Sequence, residues 1–208
     1  MIEVSWLLFV AASLVLIVTP GQDMILVMSR SITQGSVAGV VTAAGVSVGL
    51  VGHTLLATLG LGALLQASET LFLVLKLVGA AYLVFLGVQL LRAGGRELAL
   101  SNAAPVSLTR LFLSGAASNI SNPKIAVFYF AFMPQFVQPG ASHPTRAIFA
   151  LGLVFAGLTF LVKGPVGLGA GALSGWLRAR PRVLSGLYRF SGVVLLGLGI
   201  RLAFERRP

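Results

Sequence analysis

Asp23 is a carboxylate that stands inside a long apolar run, SLVLIVTPGQDMILVMSRS, residues 13–31. A carboxylate in such a run must face a protein interior, pair with a cation or take up a proton. Its type and place suggest a group that alternates between a proton and the ammonium of a substrate. The competing reading is a structural ion pair with Lys76 or Lys124, each also within an apolar segment, and the two are compatible if the pair opens. Lys124 is equally able to neutralise a substrate carboxylate or to extend its ammonium toward an interface. Asn119 and Asn122 are three apart, so they share a helical face and can hydrogen-bond a substrate or cap a broken helix. His53, on one stripe with Gly45 and Gly49, reads as a helix-to-helix hydrogen bond ahead of a proton relay. Lys163 precedes Gly164-Pro165, where a third break is expected and no role is assigned.

The elements that must carry these residues are membrane helices. Hydrophobic residues make up 57% of the 208 positions and charged residues 10%, with a mean hydropathy of +0.97. That is far from the balance of a soluble domain. A spanning helix takes about 20 largely apolar residues, which marks about six spans, at roughly 5–29, 36–66, 70–91, 109–137, 147–171 and 187–204. The runs are continuous and do not alternate, so helices are expected rather than barrel strands. The expected architecture is an all-α integral membrane protein in one transporter domain, residues 1–208. Repeat one covers about 1–91, a connecting loop about 92–108, and repeat two about 109–208. The first segment is read as part of the mature protein, because Glu3 is the only charge before Asp23 and no basic region precedes it.

The repeat rests on two breaks. TPGQDMILVMS from Thr19 and NPKIAVFYFAF from Asn122 each set a polar residue and a proline deep in an apolar segment, and each opens one half of the chain. Three helices followed by three more, with the first and fourth broken at proline, must run oppositely through the bilayer, as in the inverted repeats of many secondary transporters. Proline lacks an N–H and crowds the carbonyl four residues back, Leu16 for Pro20 and Asn119 for Pro123. Thr19 and Asn122 are then expected as N-caps with Pro20 and Pro123 at N1, and Thr19-x-x-Gln22 matches a capping box. Two half-helix N-termini on a shared cavity would suit a carboxylate. Single proline kinks often only shape packing, whereas paired breaks with polar companions favour a substrate site. Gly79, Gly87, Gly164, Gly167, Gly192 and Gly197 read as close-packing contacts.

Charge orients the spans. Arg30, then Arg92, Arg96 and Arg110, then Arg178, Arg180, Arg182 and Arg189 fall in the first, third and fifth connections. The other side holds Arg146, Arg201, Arg206 and Arg207, with Glu69 in the second connection. The positive-inside rule places the odd connections in the cytoplasm and both termini outside, unless the first segment is re-entrant and the amino terminus inside. The net charge of +10 is spent at helix ends rather than in an aromatic-interleaved patch, so the bilayer, not nucleic acid, is the expected partner. The chain has no cysteine. No segment offers a metal cluster, no cofactor is implied, and Ser114-Gly115 or Ser174-Gly175 with His53 is too generic for a serine enzyme. A passive channel would need rings of carbonyls or charges from several subunits.

The stretches TPGQDMILVMSRSITQG, LKLVGAAYLVFLGVQLLRAGG and NISNPKIAVFYFAFMPQFV resemble the three signature stretches of the LysE-type amino-acid exporters, the lysine, threonine, homoserine and leucine efflux proteins. The resemblance covers nearly the whole chain and is most specific from Asn119 to Phe136. It implies a small bacterial inner-membrane protein, often a homo-oligomer, that exports amino acids or related metabolites on the membrane potential or the proton gradient. Its motifs fall on Thr19, Pro20, Gly21 and Asp23; on Lys76, Gly79, Tyr82, Gly87 and Arg92; and on Asn119, Asn122, Pro123, Lys124, Pro134 and Gln135. Gln22 stands where many members have a second proline. Members that export lysine or arginine tend to carry an acid soon after the second Asn-Pro, where this chain has Ala126-Val127-Phe128. With Lys76, Lys124 and Lys163 against Asp23, the interior is cationic, which disfavours a dibasic substrate and favours a neutral amino acid or one bearing an extra carboxylate; the leading expectation is a neutral, small or branched amino acid.

Overall fold

A computed structural model describes residues 4–67, 69–92, 104–138 and 140–204. Glu3, Arg96, Arg206, Arg207 and most of the expected connecting loop lie outside these residues. The described chain is almost wholly helical, as continuous apolar sequence in lipid requires, because each backbone amide then finds its partner within its own segment. The helices are α1 (Trp6–Val18), α2 (Gln22–Gln34), α3 (Ser36–Ala67), α4 (Glu69–Arg92), α5 (Leu108–Ile120), α6 (Pro123–Val127), α7 (Pro144–Arg178) and α8 (Pro181–Phe204). A π-helical turn, Phe128–Phe132, and a 3-10 turn, Met133–Phe136, follow α6.

Among the described residues four helices are long and apolar enough to cross a membrane, and the pair α1 and α2, bent by 52°, makes a fifth if taken as one span. The sequence pattern marks about six. The difference lies in the fourth segment, which is divided into α5, α6 and the two turns, each too short to span alone. Its last turns hold the aromatic core: Phe128, Tyr129, Phe132 and Phe136 pack with Phe9 of α1 and Phe155 of α7, all buried. The Phe128 and Phe155 rings stack at 4.8 Å and Phe9 meets Phe136 edge-on at 5.2 Å.

The ends of the first segment meet opposite ends of the fourth. Val4 bridges Val137 and the Ser5 amide donates to the Phe136 carbonyl at 2.9 Å. At the other end Arg30 donates to the Ala104 carbonyl at 3.2 Å and Gln34 to that of Val106 at 2.8 Å. The two segments therefore lie antiparallel. α3 packs on both α5 and α7, α4 packs on α8, and α2 is wedged against α3 and α7.

Glycine sets the closeness of these contacts. Along α3, a Cβ at Gly45 would run into the Phe112 backbone, and one at Gly49 would stand 2.8 Å from the Ala116 carbonyl oxygen. Only a side chain of one hydrogen lets α5 approach so near. Gly79, Gly87, Gly167 and Gly192 are likewise at tight contacts, as the sequence suggests. Gly164 and Gly197 are not: a Cβ at Gly164 would make only ordinary contact with Phe160 of its own helix, and one at Gly197 would meet nothing within 4 Å. The break expected at Gly164-Pro165 is also displaced. α7 continues through Pro165, and its backbone leaves helical angles at Gly169 (φ −107°, ψ 16°).

Candidate functional site

Pro20 and Pro123 break their helices differently. At the second break the expectation is met: Asn122 is the N-cap of α6, its Oδ1 accepting from the Lys124 amide at 3.1 Å, with Pro123 at N1. At the first, Thr19 is no N-cap and there is no capping box. Thr19 closes α1, its hydroxyl donating back to the Val15 carbonyl at 2.6 Å. The buried Pro20 and the extended Gly21 (φ −158°, ψ −172°) then link to α2, whose N-cap is Gly21. Gln22, expected to return to the cap, instead donates across the chain to the Ser118 carbonyl at 2.9 Å and to its hydroxyl at 3.1 Å. A two-residue extension between the helices moves Thr19 out of reach of α2.

Each carbonyl released by a proline is taken up by a residue from elsewhere. The Leu16 carbonyl accepts from Lys124 Nζ at 3.1 Å, tying the first break to the second. The Asn119 carbonyl accepts from His53 Nε2 at 3.2 Å, so His53 is the helix-to-helix hydrogen bond its glycine stripe suggests. An unpaired carbonyl in a dry interior is costly, which accounts for the Lys124 contact; the Asn119 carbonyl also accepts from the Asn122 amide at 3.0 Å, so His53 adds a second hydrogen bond to it.

Asp23 opens α2 and is 3% exposed. Its Oδ1 accepts from Ser118 Oγ at 3.0 Å; its Oδ2 accepts from Asn119 Nδ2 at 2.9 Å and Asn122 Nδ2 at 3.3 Å, and pairs with Lys163 Nζ at 3.4 Å. The cationic partner is thus Lys163, not Lys76 or Lys124 as the sequence suggests. Lys124 turns toward the end of α1 because α6 caps there. Lys76 sits half-buried on α4, which packs with α8 away from this point. Lys163 reaches Asp23 because α7 is pinned against the α2–α3 turn, where Ser31 donates to the Gly167 carbonyl and Gly39 lies against Gly167.

These groups surround a small cavity between the two breaks. Asp23, Gln22 and Gly21 line it from the first half of the chain, and Asn119, Asn122 and Lys124 from the second. Phe155, Thr159 and Lys163, four residues apart on one face of α7, complete it. Thr159 Oγ1 is buried there with no hydrogen-bond partner among the described residues, and Asn119 Oδ1, likewise without one among them, lies beside Gly49 of α3. Of the residues singled out from sequence, Thr19, Gly21, Asp23, Asn119, Asn122 and Lys124 converge on the cavity. His53 and the two prolines support it from behind. Ser118 and Thr159 were not singled out, although the run Ser118-Asn119 and the spacing Phe155, Thr159, Lys163 carried the signal.

The sequence compares with known proteins over almost its full length. The family model for LysE type translocators matches residues 14–206. The chain belongs to this family. Its relatives include the homoserine/homoserine lactone efflux protein of Salmonella typhimurium, 32% identical over 97% of both chains. The leucine efflux protein of Klebsiella pneumoniae is 27% identical over 96% of this chain and 94% of the relative. An uncharacterised membrane protein of Pseudomonas aeruginosa is 32% identical over 94% of this chain and 93% of the relative. No solved structure matches the chain. This LysE-type translocator is accordingly a multi-pass bacterial membrane protein.

The signature stretches of this LysE-type translocator divide by task. The first and third build the cavity. The second lies on α4, where Gly79 meets Ala131 and Gly87 meets Gly192 and Leu196, so its glycines serve packing. The unequal breaks give a prediction. Asn122→Ala removes both the α6 cap and a donor to Asp23, and is expected to cost about 2 kcal/mol. Thr19→Val removes only a hydroxyl bonded to its own helix and is expected to cost well under about 1 kcal/mol. Thermal melting in detergent separates them, and equal losses would show that Asn122 does not hold the second break.

Proposed function

We propose that this translocator exports neutral amino acids, small or branched, by alternating access of two inverted three-helix halves that rock about Pro20 and Pro123. The observation that carries the proposal is one cavity in which both proline breaks meet, with Asp23 from one half and Lys124 from the other on its wall. A zwitterion has the complementary poles. Its carboxylate fits Lys124 and the α6 N-terminus at Asn122, and its ammonium fits Asp23 with Thr159 Oγ1 as an unfilled acceptor. Two lysines against one acid on the wall argue against a dibasic substrate. The efflux proteins named for leucine and for homoserine among the relatives support the substrate class.

The inverted arrangement is supported by the antiparallel first and fourth segments and by the packing of α3 on α7 and α4 on α8, each helix against its counterpart. Arg30 sits at the same end as residues 104–106, which supports a cytoplasmic side for the first and third connections and an amino terminus outside. Energy is assigned to the proton gradient or the membrane potential. Asp23 is the acid of the cavity and the place for a proton taken up from outside.

The test is counterflow of labelled amino acids in proteoliposomes, with and without an imposed pH gradient. Saturable counterflow of a neutral amino acid that responds to the gradient is the expected result. A folded protein that moves no amino acid would end this reading and send the search to other metabolites.

A further inference from the structure

Both poles that the cavity would offer a zwitterion are already filled from within. Asp23 Oδ2 faces Lys163 Nζ at 3.4 Å, with the side chains 3% and 6% exposed. Lys124 Nζ, the pole for a carboxylate, is held by the Leu16 carbonyl at 3.1 Å. We infer that Lys163 is an internal stand-in for the substrate ammonium, a tethered cation that occupies Asp23 whenever the cavity is empty. The inference rests on the export reading above and extends it to the return step.

The physical need is plain. A carrier that closes around an unpaired buried carboxylate meets a steep penalty, so Asp23 must hold a cation in every closed state. On the outward stroke the substrate ammonium supplies it. On the return a proton can, and Lys163 does so without one. The lysine is suited to this exchange: its ammonium is the same chemical group as the substrate's, on a flexible four-carbon stem from an unbroken stretch of α7. The charged and titratable groups around Asp23 are Lys163 from α7, Lys124 from α6 and, behind Asn119, His53 from α3. The translocator then has two return routes, one coupled to protons and one carried by Lys163, and the second sets a level of net efflux that needs no gradient.

The test compares two modes in proteoliposomes loaded with labelled L-leucine or L-homoserine at equal pH on both sides. Net efflux into empty buffer requires the empty carrier to return, whereas exchange against the same external amino acid does not. In Lys163→Met the ratio of net efflux to exchange is expected to fall about tenfold, and to recover when the outside is made acid, because a proton then replaces the lost cation. Lys163→Arg keeps a cation on Asp23 and should keep the wild-type ratio. An unchanged ratio in Lys163→Met overturns the proposal, since a merely structural lysine would lower both modes together. Should Lys163→Met support no exchange at all, the proposal is overturned, because exchange does not call on the return step that Lys163 serves; a fall of about tenfold in the ratio of Lys163→Arg overturns it likewise. Wild-type protein that is folded but inert in both modes toward these two and every other neutral amino acid tried would overturn the export reading, and this proposal with it.

Discussion

Asp23→Asn is expected to abolish gradient-driven amino-acid export, lowering it at least about a hundredfold, while leaving the protein in the membrane. The carboxylate, from the first half of the chain, accepts three hydrogen bonds and an ion pair, all from the second half, and it is the acid of the cavity wall. An amide can keep the contacts with Ser118 and Asn119 but can neither neutralise a substrate ammonium nor carry a proton. It also leaves Lys163 buried without its counter-ion, and breaking a buried pair from one side typically costs about 3–5 kcal/mol. Insertion survives because the apolar helices set it. The double variant Asp23→Asn with Lys163→Met removes both charges, so it should recover melting temperature relative to Asp23→Asn alone and recover no export. Gradient-driven counterflow together with thermal melting in detergent reads both effects. Undiminished export by Asp23→Asn would remove the carboxylate from the mechanism.

The second large effect is structural. Gly45→Ala adds one methyl group where the Phe112 carbonyl carbon would lie 2.8 Å and its Cα 3.0 Å away. Backbone cannot step aside as a side-chain tip can, so α5 must move off α3. Overpacking of this kind costs about 2 kcal/mol or more. The shift would also draw Asn119 from His53, loosening the carbonyl that Pro123 releases and, through the Asn119 amide, Asp23 itself. Loss of both melting temperature and transport is therefore expected. Gly197→Ala is the control: a Cβ there meets nothing within 4 Å, and alanine improves helix propensity by up to about 1 kcal/mol. Equal melting of the two variants would mean that the α3–α5 contact does not set the fold.

The helical class, the two breaks and most of the cavity were legible in the sequence because each rests on local rules. Continuous apolar runs have few alternatives in lipid, a proline after a polar residue marks a cap, and an acid inside a span must face a partner. Asn122 behaves as its type and position dictate. Thr19 shows where such rules end: the two-residue link Pro20-Gly21 decided which helix it would serve, and its hydroxyl closes α1 instead of opening α2.

The pairing of Asp23 was beyond the sequence altogether. Lys76, Lys124 and Lys163 are chemically alike, and nothing in residue type or spacing ranks them as partners for one carboxylate. The choice was made by helix packing. α7 is held to α2 and α3 at Gly167, which carries Lys163 over the cavity, while α4 turns to α8 and takes Lys76 with it. Lys124, bound into a five-residue helix that must cap beside the first break, spends its ammonium on the Leu16 carbonyl. By itself the sequence determined that this chain spans the membrane and breaks at Pro20 and Pro123, since local backbone chemistry in lipid permits little else. Only the tertiary structure decided which cation lies on Asp23, because that depends on contacts between helices far apart in the chain.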